Sequence, residues 1–588
     1  MARSKQELAR LIRGATGEIK ADLIIGGGKL VNVYSGEILD GMEIAIVDGR
    51  ICYVGPSAKH TRGQATEFLD AAGCYVSPGF IDGHTHFGHY ARPFENLQSF
   101  LPHGTTAVVA SCDEMSTVFG LRGLKLFLDE VERHPLRVYT LVSMVAPQDP
   151  LLCSTATFTN DEIAQALADP RVLGMGEIVS WLRLVQCDDE ILERLEIANR
   201  NGQLIHGHTA GARDQKLCAV VAAGISSCHE PIRFEDALER LRLGYWTMLR
   251  EGSLRQDLAA TLPQLIAAGV NLQRLILVTD SMTPDDIEEC GHMDYVARRA
   301  MSLGLSPLQA IQSVTLNPAV YSGLEQDIGG IAPGRFADIV LLDDLHQCHV
   351  REVLIAGKVV ARKGLSEIKT RPIPLPQELM HSLKLGLEIT PEVFRIPAPS
   401  ATPKVRVMEL VNLTITAERI VEFHAPAGTV DANLYDDYLK VAMFDRHQRS
   451  TEVAFGFLKG WGAKVGAVGL TTNLDENTLM VVGSDDRDMA LCANLLLDAG
   501  GGMAIVDRGE VLDKIEFTCG GIFSLSPWQE VGKGLRRIQS RLKEMGSSFD
   551  KPIFALNFLP FVTLPALRIT ARGLVIAKER KIVSLFAD

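Results

Sequence analysis

Two pairs of histidines carry the first chemical signal in this sequence. His84 and His86 close the stretch Pro78–His86, and His206 and His208 flank a single glycine further along. Side chains at positions i and i+2 of a β-strand lie on one face, so each pair can present two imidazoles together. Two such imidazoles can bind one divalent metal ion. An isolated pair is equally compatible with histidines near a surface turn, and only one member of the second pair need be a ligand.

Further metal-competent side chains stand at or near the ends of other predicted strands. They are Glu177, His208, His229, Glu230 and Asp280. Imidazole and carboxylate ligands suit zinc, manganese or iron. None of the 11 cysteines forms a C-x-x-C pair, which argues against a structural zinc site. The set predicts a metal site, with ordinary polar loop residues as the alternative.

The segments that carry these residues alternate between strand-like and helix-like patterns. Amphipathic helical patterns such as Asp189–Asn199 and Phe234–Leu243 separate most of the strands. Eight strands with crossovers over about 250 residues fit a (β/α)8 barrel, whose active site lies at the carboxyl ends of the strands. An open doubly wound sheet is the alternative, but the polar residues gather at strand ends throughout, which favours the barrel. The predicted strands are Phe80–His86, Thr105–Ala110, Arg137–Val145, Val172–Val179, Leu204–His208, Ile225–His229, Trp246–Arg250 and Leu275–Asp280.

Short β-rich segments flank this region on both sides. Glu43–Val54 has the pattern of a hairpin around the turn pair Asp48-Gly49, and Ala337–Val360 is also β-rich. Each segment is too small to bury a core alone, so we predict that the two pair into one small β-sandwich domain beside the barrel.

The composition changes after about residue 371. Proline-rich stretches predict a linker, and strand-like patterns then return. The glycine cluster Gly500–Gly502 lacks the Lys-Ser/Thr of a phosphate-binding loop, so a tight turn is favoured. The predicted fold is α/β, with these segments: N-terminal part of the small β-domain (1–75), (β/α)8 catalytic barrel (76–335), C-terminal part of the β-domain (336–375), linker (376–404) and C-terminal α+β domain (405–588).

Composition limits the classes of partner. The 59 basic and 72 acidic residues give a net charge of −13, which argues against a general nucleic-acid or anionic-membrane surface. No apolar run reaches the length of about 18 residues that a membrane span needs, and the polar N-terminus lacks a signal-peptide core. Scattered cysteines indicate reduced thiols. We predict a cytoplasmic protein that binds a small molecule.

With these residues in view, the sequence resembles enzymes of the amidohydrolase superfamily, and more narrowly the adenine deaminase family. The resemblance covers nearly the whole chain and includes the additional C-terminal domain typical of that family. The stretches that carry it are Pro78–His86, Leu101–Thr105, Gly174–Glu177, Gly207–Gly211, Ala223–Glu230, Leu249–Ser253, Thr279-Asp280, Gly291–Asp294, Ile331–Val340, Ser484–Gly502 and Asn557–Pro560.

The resemblance implies a two-metal site and a role for each matching residue. The implied substrate is a purine, and the implied metals are divalent, manganese or iron rather than zinc. The two metals share a hydroxide that attacks C6 of adenine. Asp280 passes a proton towards the departing amine, so that hypoxanthine and ammonia form. A homodimer or larger homo-oligomer is also implied. The implied ligands are His84 and His86 for one metal, Glu177 as a bridging and catalytic carboxylate, His208 and His229 for the second metal, and Asp280 on the eighth strand.

Four places depart from the family pattern, all predicted to lie near the substrate. Gly88-His89-Tyr90 stands where Glu-Ser-Ser is common, Cys112-Asp113-Glu114 where Pro-His-Glu is common, and Ser281 where a second aspartate is common. A His-Asp-Ser-His stretch is replaced near residues 471–476. The residues that we predict to contact substrate are His89, Asp113, Glu114, Glu230 and Ser281.

Three functional hypotheses follow. The first is an adenine deaminase-like aminohydrolase. The second is an amidohydrolase that acts on another amino-heterocycle, or on a cyclic amide as dihydroorotase-like and hydantoinase-like enzymes do. The third is a non-catalytic scaffold. Enzymes that cleave cyclic amides usually carry a lysine on the fourth strand, so Glu177 favours the first hypothesis.

Overall fold

The computed structural model describes residues 3–587. Eight parallel strands at its centre form a (β/α)8 barrel. The first five strands pair in chain order, and so do the last three. A two-residue continuation of the eighth strand, Asp280–Ser281, pairs with the first strand. The strands span Phe80–His86, Thr105–Ser111, Arg137–Val142, Val172–Ile178, Leu204–Gly207, Ser227–Cys228, Trp246–Arg250 and Leu275–Val278.

The pairing of the last strand with the first distinguishes a barrel from an open sheet, so the doubly wound alternative is wrong. The fifth and sixth strands meet without a regular ladder, through a hydrogen bond that the Gly207 amide donates to the Ser227 hydroxyl at 3.3 Å. The sixth strand is shorter than predicted because Ile225 and His229 lie outside the paired segment. All eight predicted strands are nevertheless present.

Helices cover the outside of the barrel. The two predicted examples form as Asp189–Arg200 and Phe234–Arg242. The Asp188 carboxylate caps the first of these by accepting a hydrogen bond from the Ile191 amide. The helices between residues 93 and 321 are Pro93–Phe100, Asp113–Phe119, Leu121–Glu132, Asn160–Leu167, Trp181–Val185, Asp189–Arg200, Asp214–Ala222, Phe234–Arg242, Leu258–Ala267, Pro284–Cys290, Met293–Ser302, Pro307–Ser313 and Leu316–Tyr321.

Strands from both sides of the barrel share one seven-stranded sheet. Ile339–Asp344, after the barrel, pairs antiparallel with Tyr75–Pro78, before it. A four-stranded sheet packs nearby, and Ile44 and Leu341 belong to one buried cluster. The predicted hairpin forms around Asp48 and Gly49. The strands are Leu23–Gly26, Glu43–Val47, Arg50–Gly55 and Glu67–Asp70 in the smaller sheet, and Lys29–Asn32, Glu37–Leu39, Tyr75–Pro78, Ile339–Asp344, His349–Ile355, Lys358–Arg362 and Leu365–Ser366 in the larger.

The C-terminal region is built on a nine-stranded sheet with two long helices. Gly500 has a φ of 84° and ends the first helix, so the glycine cluster forms a turn. Among residues 3–587, no helix is both long and apolar enough to cross a membrane. The helices are Asp486–Ala499, Trp528–Glu544 and Pro552–Asn557, and the strands of the sheet are Lys404–Leu410, Thr416–Glu422, Tyr438–Met443, Ala454–Lys459, Ala467–Leu470, Met480–Gly483, Gly502–Asp507, Glu510–Glu516 and Phe586–Ala587.

The C-terminal region contacts the loops that follow the first and third barrel strands. Tyr90-Ala91 pairs in parallel with Phe523-Ser524. The Asn557 side chain donates a hydrogen bond to the Tyr90 hydroxyl at 3.0 Å. The Thr570 hydroxyl donates to the Leu152 carbonyl at 2.7 Å. The C-terminal region therefore lies over the carboxyl ends of the barrel strands.

Candidate active site

His84 and His86 lie at the carboxyl end of the first strand, on one face of it. The His84 side chain is fully buried, and its Nε2 atom lies 3.3 Å from Oδ1 of Asp280. The two imidazole rings meet edge to face, with centroids 4.9 Å apart. The short pairing of Asp280–Ser281 with the first strand places the Asp280 carboxylate beside this pair.

Glu177 links the remaining histidines. Its Oε2 atom lies 2.7 Å from Nδ1 of His208 and 2.9 Å from Nε2 of His229. Its Oε1 atom lies 3.6 Å from Nε2 of His86. A single carboxylate at the end of the fourth strand thus stands between the two sets of imidazoles, as the ligand arrangement implied by the resemblance requires.

The structure brings all six predicted ligands together, and we call them the barrel floor. They divide into two groups, and within each group the ligand atoms all lie within 4.8 Å of one another. One group is His84, His86 and Asp280, and the other is Glu177, His208 and His229. Several buried imidazole nitrogens of these groups have no hydrogen-bond partner among the described residues. They are both nitrogens of His84, Nε2 of His208 and Nδ1 of His229. Buried polar atoms without partners are costly, and metal coordination is one way to satisfy them.

His206 lies beneath the barrel floor. Its ring stacks on that of His84, with centroids 4.4 Å apart, and its Nδ1 atom is 2.9 Å from the Tyr321 hydroxyl. Its Nε2 atom is buried without a hydrogen-bond partner in the described chain. With His84 and His229 it forms another metal-competent group. The geometry therefore allows His206 to bind a metal ion together with residues of the floor, whereas the resemblance assigns the ligand role to His208.

The electrostatics of the floor favour neutral imidazole at His84 and ionised carboxylates. Burial, reinforced by the charge of His229, lowers the pKa of His84 to about 4. Burial opposes ionisation of Glu177, but His208 and His229 hold the pKa of this carboxyl well below its ordinary value. For Asp280 burial acts in the same direction and is again outweighed, here by His84, His229 and Arg250, so its pKa is also far below its ordinary value. Neutral imidazole and ionised carboxylate are the forms that bind metal. At His86, His208 and His229 burial is outweighed by nearby carboxylates, which raise the pKa, so these rings must lose a proton when metal binds.

Arg250 is a buried residue beside the barrel floor to which the sequence analysis assigned no role. Its side chain is 3% exposed, and its Nη1 atom contacts Glu230 and lies 3.2 Å from Oδ2 of Asp280. Its Nε atom donates to Oδ2 of Asp257 at 2.8 Å. A lone arginine has no spacing pattern that reveals such a role. Its position at the end of the seventh strand was the available signal.

The five predicted substrate contacts line one cavity of about 360 Å³, together with most of the barrel floor. Oδ2 of Asp113 is 3.1 Å from Nδ1 of His86, and Oε1 of Glu114 is 3.7 Å from Nδ1 of His89. Glu230 is fixed by Arg250 and lies 3.4 Å from His229. The cavity residues from the prediction are His89, Asp113, Glu114, Glu230 and Ser281.

The C-terminal region closes the cavity from the other side with residues that we call the C-terminal wall. The sequence analysis assigned no catalytic residue to this region and expected only residues 471–476 to lie near the substrate. Oδ1 of Asn477 lies 2.7 Å from Nε2 of His89, which joins the wall to the barrel. Burial lowers the pKa of His89 to about 4, so this contact is made by a neutral ring. The wall consists of Asp475, Asn477, Phe554, Asn557, Phe558 and Phe561, all of which line the cavity except Asn477.

Comparison with known families agrees with this geometry. Residues 75–360, which include the barrel, match the amidohydrolase family. Residues 413–581 match the adenine deaminase C-terminal domain.

Similar chains extend the match to the full length. The adenine deaminase of Moorella thermoacetica is 39% identical over 98% of this chain and 97% of its own. The adenine deaminase of Cenarchaeum symbiosum is 37% identical over 99% of this chain and 95% of its own. The chain therefore belongs to the adenine deaminase family.

Solved structures are similar to part of the chain. The β-aspartyl dipeptidase of Fervidobacterium islandicum AW-1 covers 59% of this chain and 99% of its own, with 19% identity and a TM-score of 0.46. An adenosine deaminase of Xanthomonas campestris with bound zinc covers 60% of this chain and 95% of its own, with 16% identity and a TM-score of 0.43.

Proposed function

We propose that this protein hydrolyses adenine to hypoxanthine and ammonia. One observation carries the proposal: in a chain of the adenine deaminase family, Glu177 joins two groups of metal-competent side chains at the base of one cavity. In the reaction, a water oxygen adds to C6 of adenine, the C6–N6 bond breaks, and the amine leaves with one proton of that water as ammonia, while the other proton stays on the ring of hypoxanthine.

We propose that two divalent cations bind the barrel floor, one in each group. The unpaired imidazole nitrogens support this, and so does the charge of the site, where Arg250 is the buried cation among several carboxylates. A mixed set of imidazole and carboxylate ligands without cysteine is compatible with manganese or iron, which we favour over zinc. Bound cations would lower the pKa of water and supply a nucleophile near neutral pH.

Asp280 is the proposed proton carrier. Arg250 holds one carboxylate oxygen and His84 faces the other, so the group stays ionised and fixed in orientation. It can take a proton from the attacking water and release it to the departing amine. Glu177 orients His208 and His229 and faces the cavity, which supports its proposed catalytic and ligand roles.

The apolar part of the C-terminal wall suits a planar heterocycle. Phe554, Phe558 and Phe561 line the cavity opposite the polar barrel floor. Aromatic side chains bind flat rings by burial and by offset or edge-to-face contact. Polar groups on one side and aromatic groups on the other would orient the ring with C6 towards the floor.

Ammonia release by manganese-loaded protein tests the proposal, with adenine, other purines, pyrimidines and pterins compared. We expect adenine to be the best substrate. Asp280→Asn should lose about 100-fold to 10,000-fold in kcat while retaining most of its metal. Hydrolysis of cyclic amides without ammonia release would instead identify a dihydroorotase-like or hydantoinase-like enzyme.

We also propose a cytoplasmic homodimer or larger homo-oligomer. The 11 cysteines form no disulfide in the described chain, which is compatible with a reducing compartment. The oligomeric state rests on the family resemblance alone. Light scattering of the purified protein tests it, and a monomer would contradict it.

A further inference from the structure

The loop between the strands Ala467–Leu470 and Met480–Gly483 brings a carboxyl group to the cavity. This loop belongs to the C-terminal sheet, yet Leu474 and Asp475 line the same cavity as His86, Asp113 and Glu177. Asp475 is therefore an acidic side chain that reaches the candidate active site from outside the barrel.

The loop is anchored on both sides of Asp475. The Gln148 amide, from the barrel, donates a hydrogen bond to Oδ2 of Asp475. Glu476 accepts hydrogen bonds from the backbone amides of Ser154 at 2.7 Å and Ala571 at 3.1 Å. Asn477 donates to the Thr117 hydroxyl at 2.8 Å. These contacts fix the position of Asp475 relative to the barrel floor.

Asp475 is buried in the wall of the cavity beside other carboxyl groups. Burial, followed by the nearby charge of Asp113, raises the pKa of Asp475 well above its ordinary value, and Glu177 adds to this effect. Gln148 and His86 act in the opposite direction. Perturbed carboxyl groups that face a cleft are typical of functional sites. By contrast, the adjacent Glu476 points away from the cavity and binds two backbone amides.

We propose that Asp475 contacts the substrate and accepts a hydrogen bond from an N–H group of the heterocycle, so that the C-terminal domain contributes to substrate selection. This inference rests on the proposed function. Adenine offers two kinds of N–H donor, the exocyclic amine and the imidazole N–H. Both donors point outwards in the plane of the ring, so either would pair with an acceptor fixed at the edge of the ring. The floor supplies the groups that act on C6.

Three variants of the full-length, manganese-loaded protein test this role. Asp475→Ala should lower kcat/KM for adenine about tenfold to 100-fold, mainly through KM, with unchanged metal content. Asp475→Asn keeps an acceptor oxygen and should recover part of this loss. Asp488→Asn is the control from the C-terminal region, because Asp488 is also buried but accepts hydrogen bonds from the Arg508 and Gly509 amides away from the cavity: it should lower the melting temperature and leave KM for adenine unchanged.

Purine as a competitive inhibitor locates the donor, because purine has the imidazole N–H and lacks the amine. If Asp475→Ala weakens purine binding as much as it raises KM for adenine, the imidazole N–H is the donor. If purine binding is unchanged while KM rises, the amine is the donor. A folded Asp475→Ala variant with wild-type KM and metal content would overturn the inference. A wild-type protein that releases no ammonia from adenine would instead overturn the proposed function.

Discussion

The barrel floor and the C-terminal wall face each other across one cavity and are built in different ways. The floor consists of histidines and carboxylates at the ends of parallel strands, and backbone hydrogen bonds between those strands fix their positions. The wall consists of loop and helix residues of the C-terminal region, which is built on a separate sheet. Asn477 joins the wall to His89 of the barrel. The floor holds the groups able to act on a bond, and the wall holds groups able to recognise a ring. If this division is correct, the two sides respond to different measurements.

The largest expected effect is at the centre of the floor. Glu177→Ala removes the carboxylate that contacts both His208 and His229, so both metal groups lose their link. We expect metal loss and a fall in kcat of at least about 1,000-fold. Metal analysis together with ammonia release measures this.

Glu196→Ala is the matched control for this variant. Glu196 is exposed on the helix Asp189–Arg200 and pairs with Arg200 at 2.6 Å. It should retain full metal and activity. Normal metal content in Glu177→Ala would show that Glu177 is not a metal ligand. It would also contradict the claim that the floor, unlike the wall, binds the metal.

A second test concerns the charge balance of the floor. Arg250→Met removes the cation shared by Glu230, Asp257 and Asp280 and leaves these carboxylates buried without it. Breaking a buried ion pair by removing one partner costs about 3–5 kcal/mol of folding free energy. Urea unfolding of the chelated protein, followed by tryptophan fluorescence, measures this loss.

Arg183→Met provides the comparison for that variant. Arg183 pairs with Asp188 and Glu190, whose side chains are partly exposed, so its removal should cost about 1 kcal/mol or less. Equal losses in the two variants would contradict the claim that Arg250 compensates the carboxylates of the floor.

The floor was predictable from the sequence because its residues obey local rules. The i, i+2 spacing of His84 and His86 follows from strand geometry, and a barrel gathers the ends of its strands. All eight strands were found by pattern, and the sixth was too long because periodicity does not mark where pairing stops. Arg250 escaped notice because a single charge has no period.

The wall was not predictable from local pattern. Asp475 and Asn557 are distant in sequence from the barrel, and their approach depends on how two regions pack. The departures at Gly88-His89-Tyr90 and near residues 471–476 gave the one usable signal, since both were expected near the substrate. The structure places His89 and Asn477 in direct contact. A hydrogen bond between two regions that are distant in sequence follows from how the regions pack, so no local spacing of residues predicts it.

A third and smaller effect is expected where the wall meets the barrel. Asn477→Ala removes the side-chain contacts to His89 at 2.7 Å and to Thr117 at 2.8 Å. The loss of buried hydrogen bonds should cost about 2 kcal/mol of stability. Metal content should not change, because no floor residue is touched. Asn433→Ala is the control, since Asn433 lies in an exposed turn. Metal loss in Asn477→Ala would show that floor and wall are not separable.

The smallest effect concerns a histidine outside both regions, where burial acts without a carboxylate partner. Nδ1 of His134 accepts a hydrogen bond from the Leu136 amide at 3.1 Å, and its ring meets Phe94 edge to face. Burial lowers the pKa of His134 to about 3. Because this value lies below that of the unfolded chain, the stabilisation is complete above about pH 6.5 and declines as the pH falls towards 3.

Between pH 7 and pH 5.5 this group should contribute a loss of about 1 kcal/mol in the free energy of unfolding. His134→Phe keeps the ring packing and should remove that part of the pH dependence, whatever its stability at pH 7. Urea unfolding at several pH values measures the slope. His349→Phe, at an exposed site, should leave the slope unchanged. An unaltered slope in His134→Phe would mean that burial alone does not suppress protonation here. Neutral imidazole at His84 would then have to depend on the positive charge of His229 instead, because carboxylate neighbours favour the protonated ring.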